Sequence, residues 1–378
     1  MTRTIIDINI LQTVPPSNIN RDDTGSPKTA VYGGVRRARV SSQAWKRATR
    51  RAFEGVLDKS ELGTRTKRAV ELLAERIQER DAEIEIDRAQ ELAKLAFTAA
   101  GIKLTAPRGS TKDKPLPEES GYLLFLSARQ IDRLAALAIE ANGAEDAATS
   151  LKASGIRKQL DTDHSVDLAL FGRMVADTSD LNVDAAAQVA HAISVHPVEN
   201  EFDYFTAVDD HKAADDDEDA GAGMIGTVEF NSSTLYRYAT VDVDRLRENL
   251  GDDTATRRAV EAFVRSFVHS LPTGKQNTFA NRTLPDAVVI SLRDTQPVNL
   301  VGAFEEAIRT DEGRLRVASE RLATYARDVD EAYATTPVHS WVVRVSDATS
   351  ALDAVGERVA LDAAVDAVGA NVAQRLAD

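Results

Sequence analysis

The chain has 378 residues, of which 43% are hydrophobic and 28% charged, so it can bury the core of one large domain or of two. It contains no cysteine, which excludes disulfides, thiolate catalysis and thiolate-held zinc. The formal net charge of -14 argues against non-specific nucleic-acid binding. Neither a signal peptide nor a long apolar run is recognisable, so we expect a cytoplasmic protein without membrane spans.

Apolar periodicity and turn residues predict strands separated by helices, which indicates an α+β fold. In the first half of the chain the predicted elements are a strand at 4–13, extended chain at 31–40 interrupted by Gly33 and Gly34, a helix from Ser41 or Ser42 to about Val56, two helices within 62–100 separated near Asp81, and helices at 128–142 and 145–153. In the second half they are a strand at 165–175, an Ala-rich helix at 182–196, a hairpin over 227–243, a helix at 254–271, a strand at 286–292, helices near 302–309 and at 313–332, a strand at 339–345 and a helix from about 351.

Charge is distributed unevenly along this acidic chain. Residues 24–53 contain eight Lys or Arg and no acid, whereas seven of the eleven residues at 209–219 are acidic. One region therefore attracts anions, and the other repels them. We interpret the acidic run as a solvated loop.

The predicted helix at 42–56 concentrates the positive charge. A helical wheel places Lys46, Arg47, Arg50 and Arg51 on one face, opposite an apolar face that contains Trp45. Ordinary solvated faces mix charges of both signs at i,i+4 spacing, but here those pairs carry like charges. The N-terminus of the helix also favours a phosphate. The pattern favours an anion-binding face without separating RNA, DNA and a small phosphate ligand.

Several blocks of the sequence resemble the CasC family, which forms the backbone of the type I-E CRISPR Cascade complex. They appear in the family's order as NINRDD (18–23), YGGVRRARVSSQAWKRATRR (32–51), FGRM (171–174), HAISVHPV (191–198), DYFTAVDD (203–210), TVEFNSSTLYRYA (227–239) and GKQNTFA (274–280). The resemblance implies an RRM-like (ferredoxin-like) palm with helical fingers and a protruding thumb. The expected domains are palm at 1–60, fingers at 61–163, palm at 164–196, thumb at 197–226, and palm with C-terminal helices at 227–378.

The function implied by the resemblance is non-catalytic. Such subunits polymerise along a CRISPR guide RNA, so that base pairing reads the target sequence and the protein holds the backbone. The implied partners are the guide RNA, target DNA through the guide, other copies of the chain, other Cascade subunits and the helicase-nuclease that the complex recruits. No cofactor, metal or membrane is expected.

The same resemblance implies individual RNA contacts. It places the palm's contacts near the basic helix, an apolar wedge at Met174 and the thumb tip at residues 204–206, where an aromatic ring can stack on any base. The expected RNA-binding residues are Asn20, Arg21, Lys28, Ser41, Gln43, Lys46, Arg47, Arg50, Arg173, Met174, Tyr204, Phe205, Thr206, Lys275 and Gln276.

Two other functions remain open from the residues. Asp22 and Asp23 lie in a loop beside the basic segment, where a divalent ion could support ribonuclease chemistry, although no third ligand motif accompanies them. Alternatively, the two aspartates order the loop by capping backbone N–H groups. A scaffold that does not touch RNA is the remaining alternative, and the basic helix argues against it.

Overall fold

The computed structural model describes residues 3–111, 116–175, 179–207, 224–310 and 312–377, so the acidic run at 209–219 lies outside the described residues. The strands are β1 (Ile5–Ser17), β2 (Thr29–Tyr32), β3 (Val35–Val40), β4 (Gly63–Thr66), β5 (Leu104–Thr105), β6 (Glu119–Ser120), β7 (Leu124–Ser127), β8 (Ala187–Val189), β9 (Ala192–Ser194), β10 (Glu201–Ala207), β11 (Met224–Asp242), β12 (Ala287–Arg293), β13 (His339–Arg344) and β14 (Glu357–Arg358). The helices are α1 (Ser42–Ala52), α2 (Ala69–Arg80), α3 (Ile86–Ala99), α4 (Ala128–Asn142), α5 (Ala147–Ala153), α6 (Val166–Phe171), α7 (Val243–Leu250), α8 (Asp253–His269), α9 (Gln276–Phe279), α10 (Arg314–Tyr333) and α11 (Leu361–Ala377).

The chain divides into two compact units. The first unit contains residues 1–52, 188–242 and 260–378, and the second contains residues 53–187 and 243–259. Mixed helices and strands in this arrangement confirm the predicted α+β fold. Within the described part of the chain, the helices are too short or too polar to cross a bilayer.

The first unit is built on a large sheet with the strand order β14-β13-β12-β1-β11-β9-β3-β2, and β10 and β8 also pair with β11. The central pairs of β1 with β11 and β12 are antiparallel, and β14 is parallel to β13. The segments at either end of β11 have different neighbours, because Met224 to Phe230 pair with β10 and Asn231 to Asp242 pair with β1. A two-stranded ribbon of β10 and β11 therefore extends from the sheet.

Strand β1 is buried along most of its length, including its polar positions. Alternation of apolar and polar residues usually indicates a strand with one solvated face, but Asp7, Asn9 and Gln12 are each 1% exposed or less. Their partners lie on β11, where Tyr238 donates to Asp7 at 2.7 Å, Tyr236 to Asn9 at 2.7 Å, and Arg237 to Gln12 at 2.5 Å. The polar side chains of β1 thus form hydrogen bonds in the interior of the first unit.

A buried ion pair joins β1 to β12 in the same unit. Arg293 Nε donates to Asp7 Oδ2 at 3.0 Å, and Arg293 Nη1 donates to Asp330 Oδ1 of α10 at 2.8 Å. Burial raises the pKa of Asp7, while hydrogen bonds from Val298 N and Tyr238 and the charge of Arg293 lower it. Since both ions are buried, removing either partner would leave an uncompensated charge.

The second unit has its own core, formed largely by α2 to α5. Leu73 and Ile77 of α2 pack with Leu92 and Phe97 of α3 and with Leu134 of α4. These residues recur at helical spacing, and the structure confirms the predicted helix pair with its break after Arg80 and the predicted α4 and α5.

Three predicted elements of the middle of the chain are wrong. The strand predicted at 165–175 is helix α6, whose residues Val166 to Leu170 are all buried, so its sequence shows no helical stripe. The Ala-rich helix predicted at 182–196 is replaced by β8 and β9, which pair with neighbouring strands. The hairpin predicted over 227–243 is the single strand β11. Tertiary pairing overrides local propensity in the last two segments.

Several boundaries also differ from the prediction. Helix α1 ends at Ala52, and a 3₁₀ turn over Phe53–Gly55 follows it. The helix predicted near 302–309 is a 3₁₀ turn over Leu300–Phe304, and the C-terminal helix α11 begins at Leu361. Helices α7 and α9 were not predicted. The predicted strands at 4–13, 286–292 and 339–345 and the predicted helices at 254–271 and 313–332 are confirmed.

Candidate nucleic-acid interface

Helix α1 is anchored in the first unit through its apolar side. Trp45 is fully buried, and the guanidinium of Arg237 lies over its ring at 3.8 Å from the centroid. Phe267 meets the edge of the same indole ring with 6.5 Å between ring centroids. Thr49, also buried, lies 3.2 Å from Ser270 through their hydroxyl oxygens. These contacts fix the rotation of the helix and hence the direction of its charged face.

The start of α1 is tied to the loop at residues 18–25, which we term the Asn–Arg–Asp–Asp loop. Ser41 N donates to the Asn20 side chain at 2.8 Å, and Ser41 Oγ accepts from Ala44 N at 3.3 Å as a helix cap. Ser41 is 4% exposed, and in this structure its hydroxyl is used for this cap. Gln43 in the first turn is exposed.

Asp22 orders the Asn–Arg–Asp–Asp loop from within. Its Oδ1 accepts hydrogen bonds from Thr24 N at 3.0 Å, Thr24 Oγ1 at 2.7 Å and Ser26 N at 3.0 Å. The hydrogen bond from the Thr24 hydroxyl is the main cause that lowers the pKa of Asp22. This is the loop-ordering use of an aspartate that was one of the two interpretations of this residue.

The four cations of α1 lie on two flanks of its outward face. Arg47 and Arg51 are exposed, whereas Lys46 and Arg50 are half-buried. Burial lowers the pKa of Lys46. A nearby phosphate would favour the charged form of this lysine and oppose that effect.

A second segment, at residues 269–275, lies against the Asn–Arg–Asp–Asp loop. A Cβ on Gly274 would come within 2.4 Å of Ile19 O, so only glycine permits this approach. The next residue, Lys275, has a left-handed backbone with φ of 50°, and so does Ala280 at the end of α9 with φ of 47°. Phe279 fixes α9 against β11 by packing on Phe230 with 5.7 Å between ring centroids.

These three segments surround a cavity of about 910 Å³ in the first unit, which we term the cationic cavity. Five cationic side chains line it, namely Arg21, Arg47, Arg51, Lys275 and Arg282. None of the five has a side-chain hydrogen bond or ion pair to another described residue. The cavity brings together four predicted contacts from three segments, Asn20, Arg21, Arg47 and Lys275. Arg282 was missed, because it lies beyond the recognised GKQNTFA block.

Other predicted contacts lie on the same unit but outside the lining of the cationic cavity. Lys28 is half-buried and lines a narrow crevice with Asn20 and Arg39. Gln276 is exposed at the start of α9. Lys46 and Arg50 occupy the other flank of α1.

The predicted thumb tip lies on β10 of the ribbon. Tyr204 is 64% exposed, Thr206 is exposed, and Phe205 is half-buried. The Phe205 ring covers Gly226 on β11, where a Cβ would come within 2.4 Å of it. Phe202, which sequence reasoning missed, is 67% exposed on the same strand. The ribbon therefore displays aromatic rings outward.

The two predicted contacts in the second unit have opposite environments. Met174 is 86% exposed, but Arg173 is 5% exposed. The Arg173 guanidinium donates to the carbonyl oxygens of Leu181, Phe125 and Leu160, and burial lowers its pKa. In this structure its donors serve backbone carbonyls of the second unit, and an RNA contact of Arg173 stays a prediction. The sequence did not indicate this structural role of Arg173, because the residue lies beside Met174 in the FGRM block.

A metal-dependent ribonuclease would need ligands that converge on one ion. In the described ranges, no group of three or more His, Asp or Glu side chains is placed to hold a metal. The Oδ1 atom of Asp22 already accepts three hydrogen bonds within its own loop.

Comparison with known proteins matches one family model and many chains of solved structures, including two chains of surveillance complexes. The family model Cas_CT1975, described as CT1975-like protein, matches residues 6–367. A chain of a "CRISPR RNA-guided surveillance complex, pre-nicking" is 37% identical, with a TM-score of 0.83, and the match covers 96% of this chain and 100% of that one. A chain of another "CRISPR RNA-guided surveillance complex" is 33% identical, with a TM-score of 0.73 and coverage of 96% and 99%. No curated protein matches.

Proposed function

The chain belongs to the Cas_CT1975 family of CT1975-like proteins and has a CRISPR-associated role, and from this premise we propose that it is a guide-RNA-binding backbone subunit of a type I-E surveillance complex. Copies of the chain polymerise along the CRISPR RNA without catalysing a reaction. The guide pairs with target DNA, other Cascade subunits bind the filament, and a helicase-nuclease is recruited to it in the cytoplasm. The first unit supplies the palm, the ribbon the thumb, and α2 to α5 the fingers.

The observation that carries this proposal is the positive surface on a chain of net charge -14. Five cations in the cationic cavity have no partner among the described residues. Lys46 and Arg50 extend the positive surface to the other flank of α1. Neutralised phosphates release counterions, which gives affinity without dependence on base sequence. A subunit that must accept any guide needs this kind of binding.

The ribbon of β10 and β11 supports the oligomeric part of the proposal. Tyr204 and Phe202 are exposed rings, and Thr206 adds a hydroxyl beside them. Stacking on an aromatic face contributes about 1–3 kcal/mol per base and tolerates every base. We propose that Tyr204, Phe205 and Thr206 hold RNA on a neighbouring copy, and that Met174 wedges against it.

The test is a gel-shift titration of the chain with a guide-length single-stranded RNA at several salt concentrations. Lys46→Ala combined with Arg50→Ala removes two cations, so we expect weaker binding to all guide sequences and a salt slope smaller by about 1.4, at 0.7 per single-strand phosphate. Arg316→Ala combined with Arg327→Ala is the control, because both arginines are exposed on α10 and line no part of the cationic cavity. An unchanged slope for the first variant would remove α1 from the interface.

Denaturing electrophoresis of the same samples, with and without Mg²⁺, tests the non-catalytic part. We expect intact RNA in every lane. Mg²⁺-dependent cleavage that Asp23→Ala abolishes would favour the ribonuclease instead. Asp23 is the better probe, because replacement of Asp22 would also remove the hydrogen bonds that order the Asn–Arg–Asp–Asp loop.

A further inference from the structure

We propose that the cationic cavity is a nucleotide-binding cavity, in which Arg51 and Arg282 hold RNA phosphates and the wall formed by α1 and residues 271–272 receives a base. The inference rests on the proposed function and deepens it, because it assigns phosphates to Arg51 and Arg282, which were not among the expected contacts, and places a base against the apolar wall. It also gives a role to Arg282, to which the family resemblance assigned none.

The size and lining of the cavity favour a whole nucleotide over a phosphate alone. A volume of about 910 Å³ lies within the range of small-molecule and cofactor sites. Its wall includes the methyl groups of Ala44, Ala48 and Ala52 along α1 and the apolar residues Leu271 and Pro272 opposite. A phosphate would gain nothing from these groups, whereas the face of a base would be removed from water against them.

The cavity is lined by five cations and by the carboxylates of Asp22 and Asp23, so its net positive charge favours an anionic ligand. Arg51 lies in the last turn of α1, and Arg282 comes from the segment after α9, so the two guanidinium groups reach the cavity from different elements. Neither has a partner among the described residues. Two planar guanidinium groups can each bind a phosphate through two hydrogen bonds.

The backbone is strained at two residues beside the cavity, of which Lys275 belongs to the lining. Lys275 and Ala280 both have left-handed backbones without being glycine, and they lie directly before and after the short helix α9. Such backbone conformations are unfavourable for residues other than glycine and are concentrated at binding sites. The strain is maintained by the contact of Gly274 with Ile19 and by the packing of Phe279 on Phe230.

The first experiment measures RNA affinity and crosslinking together. A guide-length RNA that carries 4-thiouridine is titrated with the wild-type chain and with Arg51→Gln combined with Arg282→Gln. We expect the variant to bind about tenfold more weakly at physiological salt, with a salt slope smaller by about 1.4. Irradiated wild-type complexes should yield crosslinked peptides from residues 44–52 and 270–275, and the variant should lose them. Arg316→Gln combined with Arg327→Gln is the charge-matched control.

A second variant tests the base separately from the phosphates. Ala48→Leu fills the apolar wall but keeps all five cations and a good helix former, so the chain should fold. We expect it to lose the crosslinks and to bind RNA several-fold more weakly at an unchanged salt slope. Wild-type affinity and crosslinking in this variant would show that no base enters the cavity.

The outcomes separate this inference from the proposed function. If Lys46→Ala with Arg50→Ala weakens binding while the Arg51 and Arg282 variant matches its control, the nucleotide cavity is wrong and the guide-binding function stands. If neither pair weakens binding, both proposals fail. Loss of binding in both pairs, together with crosslinks inside the cavity, supports both.

Discussion

Arg36 and Arg37 are neighbours on β3 but have opposite surroundings. The same contrast, between an arginine without side-chain partners in the described part of the chain and a buried arginine that holds the fold, distinguishes the arginines of the cationic cavity from Arg37. Arg36 is exposed and has no side-chain partner among the described residues. Arg37 is fully buried and donates to the carbonyl oxygens of Tyr32, Ser194, Phe304 and Glu305 at 2.9 to 3.1 Å. In the cavity, Arg51 and Arg282 resemble Arg36. The basic run at 36–51 thus mixes arginines that hold the fold with arginines available to a ligand.

This difference predicts which arginines affect stability and which affect binding. A buried guanidinium that serves backbone carbonyls cannot be removed without leaving those carbonyls unpaired. An arginine without protein partners can be replaced at little cost to folding, since isolated surface charges contribute little. Charge density along the sequence does not distinguish the two classes, because the partners of Arg37 lie as far away as residue 305.

The largest expected effect is on folding, at Arg37. Arg37→Gln should lower the free energy of unfolding by about 3–5 kcal/mol, because a shorter side chain cannot reach all four carbonyl oxygens. Urea denaturation measures the change, and Arg36→Gln is the control, with an expected change within about 0.5 kcal/mol. Equal effects of the two substitutions would contradict the division into structural and available arginines.

The sequence allowed much of the first unit to be predicted, because β1, β12 and β13 carry apolar residues at strand spacing and α10 carries them at helical spacing. It failed at α6, where burial on all sides removes the periodic signal, and at β8 and β9, where pairing in the sheet overrides the helical propensity of alanine. Lys46, Arg47 and Arg50 could be recognised on one helix. The cationic cavity could not, because it depends on the close approach of Gly274 to Ile19.

The next effect is a pH dependence centred on His196. Its Nε2 accepts from Thr234 N at 3.1 Å and its Nδ1 donates to Pro197 O at 2.8 Å, which requires the neutral ring. The pKa of His196 is lowered to about 4, mainly by burial and also by the charges of Arg314 and Arg37, while the hydrogen bond to Pro197 O opposes them. The folded chain therefore binds this proton less readily than the unfolded chain does.

The sign follows from proton linkage. The stabilising contribution of His196 is fully present above the unfolded pKa of about 6.5, and it is lost as the pH falls from there to about 4, with a total of up to about 3 kcal/mol. Denaturation at intervals between pH 7 and 4 should show this loss superimposed on the titration of carboxylates. His196→Gln isolates it, since glutamine keeps a donor and an acceptor but does not titrate. Parallel stability curves for the two proteins would show that His196 does not contribute.

Gly274 links stability to the cavity and should have an intermediate effect. Gly274→Ala places a Cβ within 2.4 Å of Ile19 O, so the segment at 269–275 must move away from the Asn–Arg–Asp–Asp loop. We expect a loss of about 2 kcal/mol in unfolding free energy and a weaker RNA complex. Gly55→Ala is the control, because a Cβ there meets no atom within 4 Å. Wild-type RNA affinity in Gly274→Ala would mean that the cavity's geometry does not matter for binding.

The smallest effect on stability is expected on the ribbon, where the largest effect on assembly is expected. Phe205→Ala removes a half-buried ring that covers Gly226 at the edge of two strands, so the monomer should lose no more than about 1 kcal/mol. If the ribbon holds RNA on a neighbouring copy, filaments on long RNA should dissociate at lower salt while binding to an RNA too short for two copies is unchanged. Sedimentation on the two RNA lengths measures this difference, with Arg36→Gln as a surface control on the same unit. A variant that assembles normally on long RNA would mean that the ribbon acts only on its own copy. If Phe205 stacks on bases held by a neighbouring copy, loss of its ring has to weaken the filament.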